Sequence, residues 1–264
     1  MSDSSPTLGV TILGSGSRGN ALVLQTATSA VLLDAGFSAR ELAQRLAQAG
    51  LEPSLLSAIV ITHEHADHVR GLRVFAERHG LPVFANRGTA TVLKSRDRQL
   101  GSLHLFAAGS PFQIGPFTLH PFSIPHDAND PVAFVVQTQE RRIGIATDLG
   151  HVNHLVTHQL RECDLLVLES NHDLTMLGNS QRPWALKQRI LSRHGHLSNA
   201  ACMDLLRTVV HARTRHVVLA HASSECNCRE LVAKAVADCL ISLGRTDISA
   251  HIAPQDEPLP TLWV

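Results

Sequence analysis

The sequence predicts an α/β protein made of two mixed β-sheets packed face to face, with helices on the outer faces. Three observations lead there. Short apolar runs rich in Val, Leu and Ile come in groups, and helical patterns are interspersed among them without strict alternation. His and Asp side chains stand just past several of those runs, where a rigid strand gives way to a loop. The 264 residues, 44% of them hydrophobic, suffice for one sizeable core, so a single domain over 1–264 is expected.

The first element is the run Val10-Thr11-Ile12-Leu13, which enters Gly14-Ser15-Gly16-Ser17-Arg18-Gly19. That G-x-G-x-x-G, with Asp34 some way on, fits a dinucleotide-binding turn only if a helix follows at once. Instead two further strands follow, 21–25 and 30–34, joined by a turn at 26–29. The glycines therefore shape a strand-to-strand loop. The first helix signal is the capping box Ser38-Ala39-Arg40-Glu41, with Gly50 as the stop, predicting a helix over 38–49. Next come a strand at 58–62, a helix at 68–79, a strand at 82–85 and a helix at 88–95. Strands cluster between 103 and 147, notably 117–124, 132–138 and 142–147. A helix at 151–160, a strand at 165–169 and helices at 184–192 and 199–211 follow. The chain closes with a strand at 216–220, a helix at 229–243 and a strand at 248–252. Three prolines make 253–260 extended.

Composition narrows the function classes. Formal net charge is zero, so affinity for nucleic acid must come from a local patch. The five cysteines form no CxxC pair and suit reduced thiols in the cytoplasm. No signal peptide is evident in MSDSSPTLG, and no apolar run reaches membrane length. Seventeen histidines exceed what packing needs, and the absence of tyrosine removes that side chain from every catalytic role.

The histidines are organised. In IVITHEHADH the strand ends at Thr62, and His63, Glu64, His65, Asp67 and His68 follow directly. His63 and His65 can point one way while Asp67 and His68 point to a second locus, which suits two metal ions better than one. Glu64 is expected to turn to solvent or to brace the loop. His126, Asp148 and His221 each stand at or just past the end of an apolar strand.

H-x-H-x-D-H followed by single His, Asp and His residues resembles the metallo-β-lactamase superfamily, over almost the whole chain. That resemblance implies an αββα sandwich, with one ion on His63, His65 and His126, another on Asp67, His68 and His221, and Asp148 bridging them. Asp34 matches the early Asp that braces the histidine loop. More narrowly, the sequence is similar to the YycJ/WalJ group in Gly16–Asn20, Thr62–His65, Glu169–Asp173, Gly195–Asn199 and His221–Ser223. That similarity implies a phosphodiesterase or nuclease, possibly an exonuclease, acting on DNA, RNA or a smaller phosphodiester. The group tends to carry paired Asn after the last ligand, and here Cys226 precedes Asn227.

Two divalent ions bring four positive charges; Asp67, Asp148 and a bridging hydroxide bring three negative. A site near +1 suits an anionic phosphodiester hydrolysed by that hydroxide. Zn, Mn and Fe all suit imidazole and carboxylate ligands. Asp67 and His196 are the expected catalytic residues, His196 as a phosphate contact or general acid. Ser198, Asn199 and Asn171 are expected beside it as substrate contacts, and His172 as support. Between Asp173 and Asp204 no acid occurs, yet Arg182, Lys187, Arg189 and Arg193 do, with Trp184 among them. This is either a solvated basic helix or a track for a phosphate backbone. His151, His154 and His158 are read as surface, and Cys226 and Cys228 as thiols near the site. The competing functions are a lactone or thioester hydrolase, a di-iron oxidoreductase and a non-catalytic regulatory module.

Overall fold

The computed structural model describes residues 8–96 and 101–264. Its strands are β1 (Gly9–Gly14), β2 (Ala21–Gln25), β3 (Ala30–Leu33), β4 (Leu56–Val60), β5 (Val83–Asn86), β6 (Leu103–Phe106), β7 (Phe112–Ile114), β8 (Phe117–Ser123), β9 (Val132–Gln137), β10 (Arg142–Ala146), β11 (Leu165–Glu169), β12 (His216–Ala220), β13 (Ser249–Ile252) and β14 (Leu262–Trp263). The helices are α1 (Ala39–Gln48), α2 (Ala66–Val69), α3 (Leu72–His79), α4 (Arg87–Arg96), α5 (His154–Leu160), α6 (Leu174–Asn179), α7 (Trp184–Leu191), α8 (Asn199–Val209) and α9 (Arg229–Ser242).

The strands form two sheets, ordered β14-β1-β2-β3-β4-β5-β6 and β13-β12-β11-β10-β9-β8-β7. Each is mixed. β1, β2 and β3 pair antiparallel and β3 to β6 parallel; β7 to β10 pair antiparallel and β10 to β13 parallel. The period of two sorts each strand between layers. In β11, Leu165 and Val167 face the other sheet, packing with Val31, Phe134 and Ile145, while Leu166 and Leu168 face α5, α8 and α9. In β2, Leu22 and Leu24 face inward and Val23 packs with Leu42, Leu46 and Phe75 under α1 and α3. Strands covered on both faces must be apolar on both, which is why they read as continuous runs and not as alternating ones.

The capping box forms as expected: Ser38 Oγ accepts from Glu41 N, and Glu41 Oε2 accepts from Ser38 N. The helix expected over 68–79 is instead two, α2 and α3. They break at Gly71, whose N–H goes to Ala35 O and whose missing side chain leaves room for Phe37 O, 2.1 Å from where a Cβ would stand. α5 starts at His154 and not at 151, because Asn153 caps it by accepting from Val156 N. Two elements were not expected. α6 is capped by Asp173, and β14 returns the extended tail to pair with β1.

Candidate metal centre

Three residues expected at the site occupy left-handed backbone. Asp34 follows β3 with φ 62°, Asp148 follows β10 with φ 58°, and His221 follows β12 with φ 55°. Each costs about 1–3 kcal/mol for a non-glycine residue, a strain that persists where surrounding contacts dictate the turn. All three sharp turns lie at strand ends, and they aim the side chains inward at one end of the sandwich.

The side chains gathered there form overlapping sets. Ligating atoms of His63, His65 and His126 lie within 4.8 Å of one another, as do those of Asp67, His68 and His221. Asp148 stands between them, grouped with His63 and His68 on one side and with Glu169, His196 and His221 on the other. His126 Nε2 is 3.3 Å from His65 Nδ1, His68 Nε2 is 3.7 Å from Asp67 Oδ2, and His221 Nε2 is 3.6 Å from that oxygen. Two ligand atoms about 2.1 Å from one ion stand roughly 3.4 Å apart at a tetrahedral angle, so these gaps fit ligands of a shared cation.

The tautomers fit the same purpose. His68 Nδ1 lies 2.8 Å from Asp34 Oδ2, and the same oxygen accepts from Thr62 Oγ1. Thr62 Oγ1 can then accept from His63 Nδ1, 3.0 Å away. His126 Nδ1 faces Gly195 O at 3.2 Å and His221 Nδ1 faces Glu169 Oε1 at 2.8 Å. In all four rings an acceptor holds the Nδ1 proton and leaves the Nε2 lone pair toward the centre, the usual support of metal-ligating imidazoles. Nε2 of His63 and of His221 is buried with no hydrogen-bond partner among the described residues. Such atoms are costly unless an ion takes them, so the residues fit divalent metal.

Glu169, the last residue of β11, was not singled out as a site residue from the sequence. It is fully buried. Oε1 takes the Nδ1 protons of His196 and His221, both at 2.8 Å, and Oε2 accepts from Leu149 N and Leu197 N. Burial pushes this carboxyl up, but the two imidazoles outweigh it and hold it at about 2. Burial likewise opposes the charge on Asp148, and His221 and His68 outweigh it, holding that carboxyl well below its ordinary range. The sequence signal for Glu169 was the one that worked elsewhere, a polar ligand-type residue at the end of an apolar strand. Glu169→Gln should cost stability, because its amide must face either two imidazole N–H groups or two backbone ones. Two buried donors left without an acceptor cost roughly 1–3 kcal/mol each, so about 2–6 kcal/mol should disappear in urea unfolding.

With this geometry in place, a family profile described as Beta-lactamase superfamily domain matches residues 29–222. The chain belongs to the metallo-β-lactamase superfamily. It is 33% identical over 238 residues to "Exodeoxyribonuclease YycJ" of Bacillus anthracis, covering 88% of this chain and 89% of that one. It is 34% identical over 225 residues to "Exodeoxyribonuclease WalJ" of Streptococcus pneumoniae, covering 83% of each. The fold is that of the metallo-β-lactamase fold protein YhfI from Bacillus subtilis, with a TM-score of 0.73 at 15% identity over 97% of this chain and 99% of that one.

The glycine loop now has a role within this metallo-β-lactamase fold. Gly16 (φ 147°) and Ser15 turn the chain so that Gly16 N and Ser15 Oγ both donate to Asn20 Oδ1. That fixes the amide and leaves Asn20 Nδ2 3.1 Å from His68 Nε2 and 3.3 Å from Asp67 Oδ2. Ser15 Oγ also accepts from His221 N. The loop thus supports the Asp67, His68 and His221 set, and Asn20 is a second residue that sequence reading left unassigned.

Beside the centre lies a cavity of about 100 Å³ lined by His196, Asn171, Ser223, Ser17, Arg182 and Arg189 among others. His196 and Asn171 both line this cavity, although Asn171 Nδ2 already donates to His221 O. Ser198 and Asn199 do not. Ser198 caps α8 by accepting from Ala201 N, and Asn199 is buried with its amide shared between Ser170 Oγ and Asn227. Their polar atoms are engaged in hydrogen bonds within the fold, and neither residue lines the cavity. His172 is buried, its ring nitrogens have no hydrogen-bond partner among the described residues, and burial pulls it down to about 4. Its visible support runs through the backbone, where its carbonyl accepts from Asn199 N.

Cys226, at the position that departs from the related group, packs with Leu177 and Ile190, while Asn227 keeps the polar contacts to Ser170 O and Asn199. No cysteine joins a ligand cluster among the described residues, nor do His151, His154 and His158. The basic segment is less free than its charge implies. Lys187 is buried on Gly178 O, Arg182 pairs with Glu225, and Arg189 pairs with Asp127. Trp184 is exposed.

Proposed function

We propose that this chain is a metal-dependent phosphodiesterase of the exonuclease type, with two divalent ions, Zn or Mn in first place and Fe as a third candidate. The observation that carries it is the ligand set itself: His63, His65 and His126 in one group, Asp67, His68 and His221 in another, and Asp148 between. The relatives named exodeoxyribonucleases cover most of the chain, which supports a nucleic-acid substrate. Bound ions supply Lewis acidity and lower the pKa of water from ~15.7 to ~7.

The chain's own residues do the rest. Asp34, Gly195 O and Glu169 hold the imidazoles with Nε2 presented. Asp67 and Asp148 would offset part of the cation charge, leaving the site net positive and receptive to an anionic diester. Arg182 and Arg189 line the adjoining cavity, each paired with an acid, Glu225 and Asp127, so a phosphate there would have to share their guanidinium groups. His196 is oriented by Glu169, and burial, which disfavours its charged form, is outweighed by that carboxylate, so its pKa is raised. It is thereby suited to give a proton to the leaving oxygen. No described helix is long and apolar enough to cross a membrane. The unpaired thiols suit a reducing compartment, which supports action in the cytoplasm.

A panel of bis-nitrophenyl phosphate, single- and double-stranded DNA, RNA and a lactone, each with Zn, Mn or Fe, tests the substrate class. Phosphodiesters should be cleaved and the lactone left intact. Turnover of the lactone alone would favour the competing hydrolase and end the nuclease reading.

A further inference from the structure

The three-histidine cluster is assembled from two sheets. His63 and His65 follow β4 in one, and His126 follows β8 in the other. The spacing of His63 from His65 is set by the chain, but their spacing from His126 depends on contacts between the two loops. One is the hydrogen bond from Val132 N to Thr62 O, at 3.2 Å. Another comes from a side chain: Glu64 Oε1 accepts from Asn129 N at 2.8 Å, three residues past His126.

Glu64 stands between the two ligand histidines in sequence, yet it joins no ligand cluster. It is only 6% exposed. Arg96 Nη1 donates to its backbone carbonyl at 2.6 Å, and Asn86 Nδ2 holds the opposite loop through Asp130 O. A buried carboxylate is an expensive brace. Oε2 has no hydrogen-bond partner among the described residues, and the Asp130 carboxyl nearby is pushed up first by burial and then by the charge of Glu64. What a carboxylate offers in return is a strong acceptor, roughly twice as strong as a neutral one, for a backbone N–H on the partner loop.

We propose that Glu64 is a positioning residue: its hydrogen bond to Asn129 N sets the distance of His63 and His65 from His126, and with it the affinity of that cluster for a divalent ion. This rests on the metal reading above and adds to it a residue outside the ligand set.

Three variants separate the effects. Glu64→Ala and Glu64→Met remove the acceptor, Met while keeping most of the volume, and Glu64→Gln keeps an oxygen for Asn129 N. Zn(II) affinity of the chain is read by competition with a chromophoric chelator, and melting temperature is read in parallel. Glu64→Ala and Glu64→Met should bind one of the two ions about 10–100-fold more weakly, the usual cost of losing a supporting partner, with the other ion little changed. Glu64→Gln should stay close to wild type. If the Ala and Met variants merely melt lower and bind both ions like wild type, the role is structural and the proposal is overturned. A Gln variant as weak as Ala overturns it too. Failure of wild type itself to take up Zn(II) would overturn the underlying metal reading, a separate result seen before any variant is compared.

Discussion

Asp148→Ala should release metal and abolish hydrolysis together. Asp148 is 3% exposed, and its oxygens lie 3.3 Å from His68 Nε2, 3.5 Å from His221 Nδ1 and 3.8 Å from His126 Nε2. It groups with His63 and His68 on one side and with His221 on the other. On the proposed two-ion reading, removing it would delete a shared ligand and leave two cations facing each other without the carboxylate between them. Water without a cation returns to a pKa of ~15.7, nearly nine units above its bound value of ~7, so residual turnover should be indistinguishable from background. Metal content by mass spectrometry and hydrolysis of bis-nitrophenyl phosphate check both halves on the same sample. A variant that kept its ions and its turnover would remove Asp148 from the centre.

His196→Ala should behave differently. Its Nδ1 is committed to Glu169 and its ring borders the adjoining cavity, while the proposed metal sets do not include it. Metal content should therefore be retained. Turnover on an oligonucleotide should fall by about 10²-fold or more, the usual range for losing a general acid. The loss should be smallest on a nitrophenyl diester, whose leaving group needs little protonation. Equal losses on activated and unactivated diesters would assign His196 to binding phosphate instead, and a fall in bound metal would place it among the ligands.

How far the sequence led depends on whether the signal was local. Strand ends were legible because apolar runs stop abruptly at ligand-type residues, as at Thr62-His63, Ala146 to Asp148 and Ala220-His221. Both sheets and their covering helices follow from the same runs. The break between α2 and α3 was not legible, since it depends on Gly71 abutting Phe37 O from a distant segment. Nor was the work of Glu169, whose four partners come from three separate stretches of chain. The internal hydrogen bonds of Ser198 and Asn199 were illegible for the related reason that a motif lists residues without saying which polar atoms the fold itself uses. Asn20 shows the converse, a residue in a loop read for its glycines whose side chain reaches the centre.

The most direct test of a metal-dependent nuclease is one time course: cleavage of an end-labelled DNA strand before chelation, after it, and after Zn(II) or Mn(II) is restored. The proposed seven-ligand centre predicts stepwise shortening of the strand that stops once the chelator has stripped the ions and resumes on adding metal. Cleavage continuing at full rate in protein shown to be free of metal would contradict it.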